Sequence, residues 1–232
     1  MTEDQITATD DPTGARARRL EPDARREEIL ACAIRLFGER PYVAVSTTEL
    51  AEASGVTRGL IHHYFGTKRG LYLDVVRAMV LVPNIDDSIG STGSMTERVE
   101  RSVDWFLDTV ASHGGTYVAV TGPEGIAADP EVERILASAD DIAARKILQA
   151  VGFGSDSTAQ SPERAALRAY CQLAKGAVRE WLRSEALSRE QARRLLTDSL
   201  LAIVDSVLPS LADSTTTADK HRIVVATRSP WN

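Results

Sequence analysis

The chain has 232 residues, 43% of them hydrophobic, and 27 Lys and Arg against 33 Asp and Glu give it a formal net charge of −6. This is enough for one sizeable core or two modest ones. No run approaches the roughly 18 apolar residues of a membrane helix, and the amino terminus is acidic rather than basic-then-apolar like a signal peptide, so a cytoplasmic protein is expected. Cys32 and Cys171 lie on apolar faces without CxxC or Cys/His ligand spacing and read as reduced, buried thiols; no metal or other cofactor is expected.

Residues 1–21 read as a disordered tail, in which Arg16, Arg18 and Arg19 form a short basic arm that either reaches a minor groove or stays solvated. The first helix repeats apolar residues at Ile29, Cys32, Ala33, Leu36 and Phe37, and Pro41 ends it. Ser46 and Glu49 form an S-x-x-E capping box, with Val45 and Leu50 at staple spacing, so a second helix starts near Thr47. Gly55 suits a left-handed turn, after which Thr57 can cap a third helix. There Leu60, Ile61 and Tyr64 fall at helical spacing for packing inward, leaving Thr57, Arg58, Gly59, His62 and His63 to face elsewhere. Two short helices joined at a glycine, with polar residues starting the second, are what a helix-turn-helix presents to base edges.

Thr67 can cap a fourth helix running to about Val82. Lys68 and Arg69 then lie in its first turn, where the helix dipole disfavours cations and a phosphate would resolve the conflict. Residues 84–94 form a polar Gly/Ser loop and the domain boundary. Beyond it Ser94 and Glu97 cap a helix carrying Val99, Val103, Phe106 and Val110 and ending at His113-Gly-Gly115; the segment from Tyr117 to Ile126 carries no clear pattern. Asp129-Pro130 starts a long helix, which Gly152 closes, and Ser161-Pro162 starts another with Leu167, Tyr170, Cys171, Ala174, Val178, Trp181 and Leu182 on one face. Ser188 and Gln191 open the last. Its apolar residues Leu195, Leu196, Leu200, Ile203, Val204, Val207 and Leu208 cover more than half the circumference, wider than one core needs, so a second partner is implied. Residues 209–232 read as a mobile tail, in which Ile223-Val-Val225 has nothing to pair with.

The matching pieces Ile29-Leu-Ala-Cys-Ala-Ile-Arg-Leu-Phe37, Ser46-Thr-Thr-Glu-Leu-Ala51, Gly55-Val-Thr-Arg-Gly-Leu-Ile-His-His-Tyr-Phe65 and Lys68 stand in order, and together they resemble the TetR family of regulators over roughly residues 22–82. The resemblance implies an all-α fold of about nine helices. A three-helix DNA-binding domain with its connecting helix would occupy 22–82, and a helical ligand-binding and dimerisation domain 95–208. It makes Ser46, Thr47, Tyr64 and Lys68 phosphate contacts and Thr48, Arg58, Gly59, Leu60, His62 and His63 the base-facing surface, with His62 standing where many relatives carry tyrosine. It further implies a homodimer paired through the last two helices, including Leu196, Leu200, Ile203, Val204 and Val207. Such a protein represses from a double-stranded DNA operator, and a small-molecule effector releases it by shifting the helix at 68–82.

Aromatic and polar residues of the middle helices, Trp105, His113, Tyr117, Tyr170 and Trp181, are candidates to line a pocket for a small, mostly apolar ligand, although Trp105 falls on the charged side of its helix with Arg98, Arg101 and Asp108. Plain core packing is the alternative for each. Charge distribution permits a DNA partner, because residues 14–77 carry 11 Lys and Arg against 8 Asp and Glu. It predicts DNA affinity that is moderate and steeply salt-dependent. An enzyme is disfavoured, with no Walker loop, nucleophile elbow or HExxH, and adjacent His62 and His63 about 100° apart on a helix. Control by a protein partner, without any small ligand, is the rival reading.

Overall fold

The helix starts that the sequence marks with a side-chain acceptor carry those caps. In the computed structural model, which describes residues 22–80, 92–122, 129–153 and 158–212, the Glu49 amide donates to Ser46 Oγ (3.1 Å) and the Ser46 amide to Glu49 Oε2 (2.8 Å). Ser94 with Glu97 and Ser188 with Gln191 form the same reciprocal pairs, and Thr57, Asp129 and Ser161 accept from their first turns. Gly55 has φ +63°, a turn conformation open to glycine at little cost.

Among the described residues the chain is all helix: α1 (Pro22–Glu39), α2 (Thr47–Ala53), α3 (Arg58–Phe65), α4 (Lys68–Val80), α5 (Met95–Ser112), α6 (Gly114–Thr121), α7 (Pro130–Ala150), α8 (Pro162–Leu182) and α9 (Arg189–Ala202), with a short 3-10 turn at Tyr42–Ala44. The polar tails 1–21 and 213–232, most of the 84–94 loop and residues 123–128 lie outside the described residues.

Two cores form. The first joins Ile29, Ala33 and Phe37 of α1 to Leu50, Ile61, Phe65 and the buried face of α4, and it is completed by Val120 of α6 and by Val132 and Ile135 of α7. Phe37 is 2% exposed and meets Tyr72 edge-on at 5.1 Å; burial of one such ring is worth about 1.5–3 kcal/mol. In α3 the inward pair is Ile61 and Phe65, whereas Leu60 and Tyr64, expected inward, are only half-buried. The second core gathers α5, α6, α8 and α9 with Ala144 and Leu148 of α7. Helices α6 and α7 therefore belong to both cores, so the helix-turn-helix unit is closed by the body that follows it.

Three expectations change. The Gly114-Gly115 pair starts α6 rather than only ending α5, because α6 crosses α1 at backbone distance: the Thr116 hydroxyl donates to Ile34 O (2.7 Å), and a Cβ on Gly38 would stand 2.3 Å from that hydroxyl. Only small residues permit that approach. The last helix continues past Pro209 to Ala212, so residues 209–212 are helical where a mobile tail was expected. Pro209 follows a π-helical stretch, Ile203–Val207, where the regular ladder is already interrupted. Finally, Arg189–Ala212 is long and apolar enough to cross a membrane by length and composition, and only 28% of its most apolar window is buried in this chain. Asp198, Ser199, Asp205 and Ser206 break the contiguous run in the sequence but not its average character.

Candidate nucleic-acid interface and internal cavity

The capped start of α3 places the polar candidates on one outer surface. Thr57, Arg58, Gly59, His62 and His63 are exposed, with Ser46 and Thr48 of the neighbouring α2 start; Thr47, Leu60, Tyr64 and Lys68 are half-buried. α3 is held from behind by Ile61 and Phe65 and from its end by α4. A Cβ on Gly70 would stand 2.2 Å from Phe65 O, so the α3–α4 junction is built around a missing side chain. Val43, 86% exposed on the 3-10 turn close to Ser46, adds an apolar contact point that no sequence pattern singled out.

The cations are arranged differently from the expectation. Arg25 pairs with Glu28, Arg26 and Arg77 with Asp74, Arg35 with Glu39 and Arg40 with Glu49. Arg69 forms a two-pronged bond to Asp129 (2.7 and 2.8 Å), the residue that caps α7. Lys68 donates to the carbonyls of Tyr42 (2.8 Å) and Val45 (2.6 Å), with its ammonium 4.0 Å from the Tyr42 ring centre. Both cations at the start of α4 thus have partners inside the chain, Arg69 a carboxylate and Lys68 two carbonyls. Lys68 braces the entry to α2 through two of its three donors, a role that the sequence did not indicate beside the expected phosphate contact. Among the described cations of residues 22–80, Arg58 alone has neither an acidic nor a carbonyl partner. The salt slope of any DNA complex follows the number of phosphates neutralised, so few free cations favour a shallow slope over the steep one expected.

Two carboxylates in this framework are strongly acidic. Backbone and side-chain bonds from Ser46, together with Arg40, hold Glu49 at about 2, and the Arg69 guanidinium does the same for Asp129.

A cavity of about 500 Å³ lies between α5, α6, α7 and α8. Trp105, His113, Tyr117 and Tyr170 line it; Trp181 does not, because it packs half-buried against the second core. Trp105 reaches the cavity although its neighbours Asp104 and Asp108 turn to pair with Arg193 and Arg189 of α9. His113 stands at the exposed corner between α5 and α6. The Tyr170 hydroxyl donates to Leu196 O (3.1 Å). Sequence reasoning missed the buried pair of Asp140 and Lys175 (2.7 Å) in the same wall. Its signal was an acid on the apolar stripe of Val132, Ala144 and Leu148 and a base beside that of Cys171, Ala174 and Val178. The cavity also touches Ala78, Met79 and Val80 at the far end of α4. Burial pushes the Cys171 thiol, in the same lining, up to about 12, and Cys32 is likewise free.

Leu196 and Leu200 of α9 and Val204 of the π-helical stretch after it are buried within this chain, so they offer no free surface to the dimer contact expected of them. The apolar side chains left outward are Leu195 and Val207, each 39% exposed, with Leu173 of α8, while Ile203 is half-buried. The wide apolar arc is real, but its inner half serves this chain's own core.

Residues 29–75 match the family model described as bacterial regulatory proteins, tetR family. The transcriptional activator FasR of Mycolicibacterium smegmatis is 31% identical over 97 residues, 41% of this chain and 44% of that protein. The transcriptional repressor AcnR of Corynebacterium glutamicum is 42% identical over 57 residues, 25% of this chain and 30% of its own length. These matches thus span less than half of either relative. In fold, a TetR-family transcriptional regulator from Streptomyces coelicolor aligns with 90% of this chain and 92% of its own at a TM-score of 0.68 and 22% identity. Residues 29–75 thus resemble the amino-terminal domain of the tetR family of bacterial regulatory proteins, and the chain as a whole shares the fold of the Streptomyces coelicolor protein.

Proposed function

We propose that this chain is a DNA-binding transcriptional repressor that reads a palindromic operator as a homodimer and is released by a small, largely apolar ligand. The observation that carries the reading is the double attachment of α4. Its first turn follows α3 and braces the α2 entry through Lys68, while its last turn walls the cavity at Ala78, Met79 and Val80. Ion pairs from Arg69 to Asp129 and from Arg77 to Glu131 tie the same helix to α7, another cavity wall. A ligand that prefers a conformer with α4 displaced lowers DNA affinity by its differential affinity for the two conformers, typically about 1–3 kcal/mol.

In this reading α3 enters the major groove, with Arg58, His62 and His63 at base edges and Ser46, Thr47 and Tyr64 positioning the backbone. The outward side chains Leu173, Leu195 and Val207 belong to the dimer contact, which accounts for the low burial of the last helix without a membrane. Two copies then present recognition helices roughly 34–36 Å apart or a multiple of it. A thermal-shift screen tests the effector part: compounds that raise the melting temperature and also release DNA support it. Insensitivity to every compound, together with a protein partner recovered on the DNA-free form, replaces it with control by protein contact.

A further inference from the structure

The polar groups of the cavity are unevenly matched, and this defines the chemistry of what fills it; the argument rests on the cavity being the effector site. Asp140 is the one carboxylate in the described lining, and it is occupied: Lys175 meets both of its oxygens at 2.7 Å and the Gln172 amide donates to one of them. An ammonium has three protons, so Lys175 keeps a donor beyond that pair. Tyr117 is 8% exposed, lines the cavity, and among the described residues its hydroxyl has no hydrogen-bond partner. Tyr170, by contrast, spends its hydroxyl on Leu196 O. Burial and the nearby Asp140 charge keep Tyr117 protonated. Lys146 and His113 of the wall add no negative charge, and burial keeps the Cys171 thiol protonated.

We propose that the ligand carries an oxygen acceptor of the carbonyl class, as in an acid, ester or ketone, on an apolar body, and that Tyr117 and Lys175 donate to it. A cationic ligand would have to displace Lys175 from Asp140 and leave a buried charge without its partner, which is strongly unfavourable. A pure hydrocarbon would leave the Tyr117 hydroxyl without a partner, the penalty that makes unmade buried hydrogen bonds selective. The volume of about 500 Å³ falls within the range of sites for small ligands.

Three probes with one alkyl chain test this: methyl decanoate, decanoate and decyltrimethylammonium, titrated into the full chain with intrinsic tryptophan fluorescence and melting temperature as readouts. At least one carbonyl probe should bind about tenfold or more tighter than the ammonium, the size of one hydrogen bond to a well-placed donor. Binding of both carbonyl probes assigns recognition to the shared carbonyl; binding of one alone assigns it to the charged or the neutral form. Tyr117→Phe should remove most of that preference. Tyr170→Phe should lower the melting temperature and leave the preference unchanged, a control for general loosening. Ammonium binding as tight as the carbonyl probes, or no binding by either carbonyl probe, overturns the proposal. DNA anisotropy on the same samples separates the two readings. Release by the ammonium alone would keep the effector site and refute the carbonyl class, whereas carbonyl probes that bind without release would keep the class and refute the effector role.

Discussion

Replacing Lys68 with methionine preserves most of the stem and removes the ammonium that bridges Tyr42 O (2.8 Å) and Val45 O (2.6 Å) under the Tyr42 ring. A hydrogen bond from a charged donor contributes about 1.5–3 kcal/mol and an exposed cation–π contact about 0.5–1 kcal/mol. Lys68 is half-buried, so water substitutes for part of this and the net loss is about 2 kcal/mol. For a protein of this size each kcal/mol moves the melting temperature by about 2–4 °C, giving a fall of about 4–8 °C in a calorimetric melt. The salt slope of DNA binding should stay unchanged, because two carbonyls and the Tyr42 ring hold the ammonium against the chain's own framework. An unchanged melting temperature with a slope shallower by about one would make Lys68 a phosphate contact and refute the brace.

Arg58→Ala should lose about 1–3 kcal/mol of discrimination between operator and scrambled duplex in anisotropy titrations, and an equal loss on both would remove it from base reading. Gly70→Ala places a Cβ 2.2 Å from Phe65 O, so it should cost about 1–3 kcal/mol in denaturant unfolding; no loss would mean the α3–α4 junction has room to relax. Leu195→Glu with Val207→Glu should yield a folded monomer by light scattering, whereas Leu196→Glu should fail to fold; a dimer surviving the outward pair would place the interface elsewhere. Glu49 and Asp129 are depressed from 4.5 and 3.8 to about 2 on folding. The unfolded chain therefore binds more protons across that window, and stability should be lost as pH falls from about 4.5 to 2. Circular dichroism against pH checks this, with Asp129→Asn giving a shallower acid decline.

Local chemistry was legible in the sequence wherever a helix announced its own start. Ser46, Thr57, Ser94, Asp129, Ser161 and Ser188 each carry the cap their spacing implies, because capping couples residues two or three apart. Contacts between distant segments were not legible. Lys68 and Arg69 looked like unpaired cations at a helix start, and their partners stand 23 to 26 and 60 residues away. Leu196, Leu200 and Val204, expected at a dimer contact, are core for the same reason: the width of the apolar arc does not say which of its residues face this chain's own helices. Trp105 shows the reverse: its helix face is charged, yet the indole reaches the cavity across the face boundary. The Asp140–Lys175 pair interrupts two apolar stripes, a signal that becomes readable only once α7 and α8 are known to face each other.

The central claim is that α3 reads a particular DNA sequence. Its most direct test is fluorescence anisotropy of the purified protein on duplex from the region flanking its own gene, against a scrambled duplex, at two salt concentrations. The expected result is a specific complex that persists at the higher salt, with a shallow slope and loss of specificity in Arg58→Ala. Equal binding to both duplexes, erased by salt and indifferent to Arg58, would contradict it.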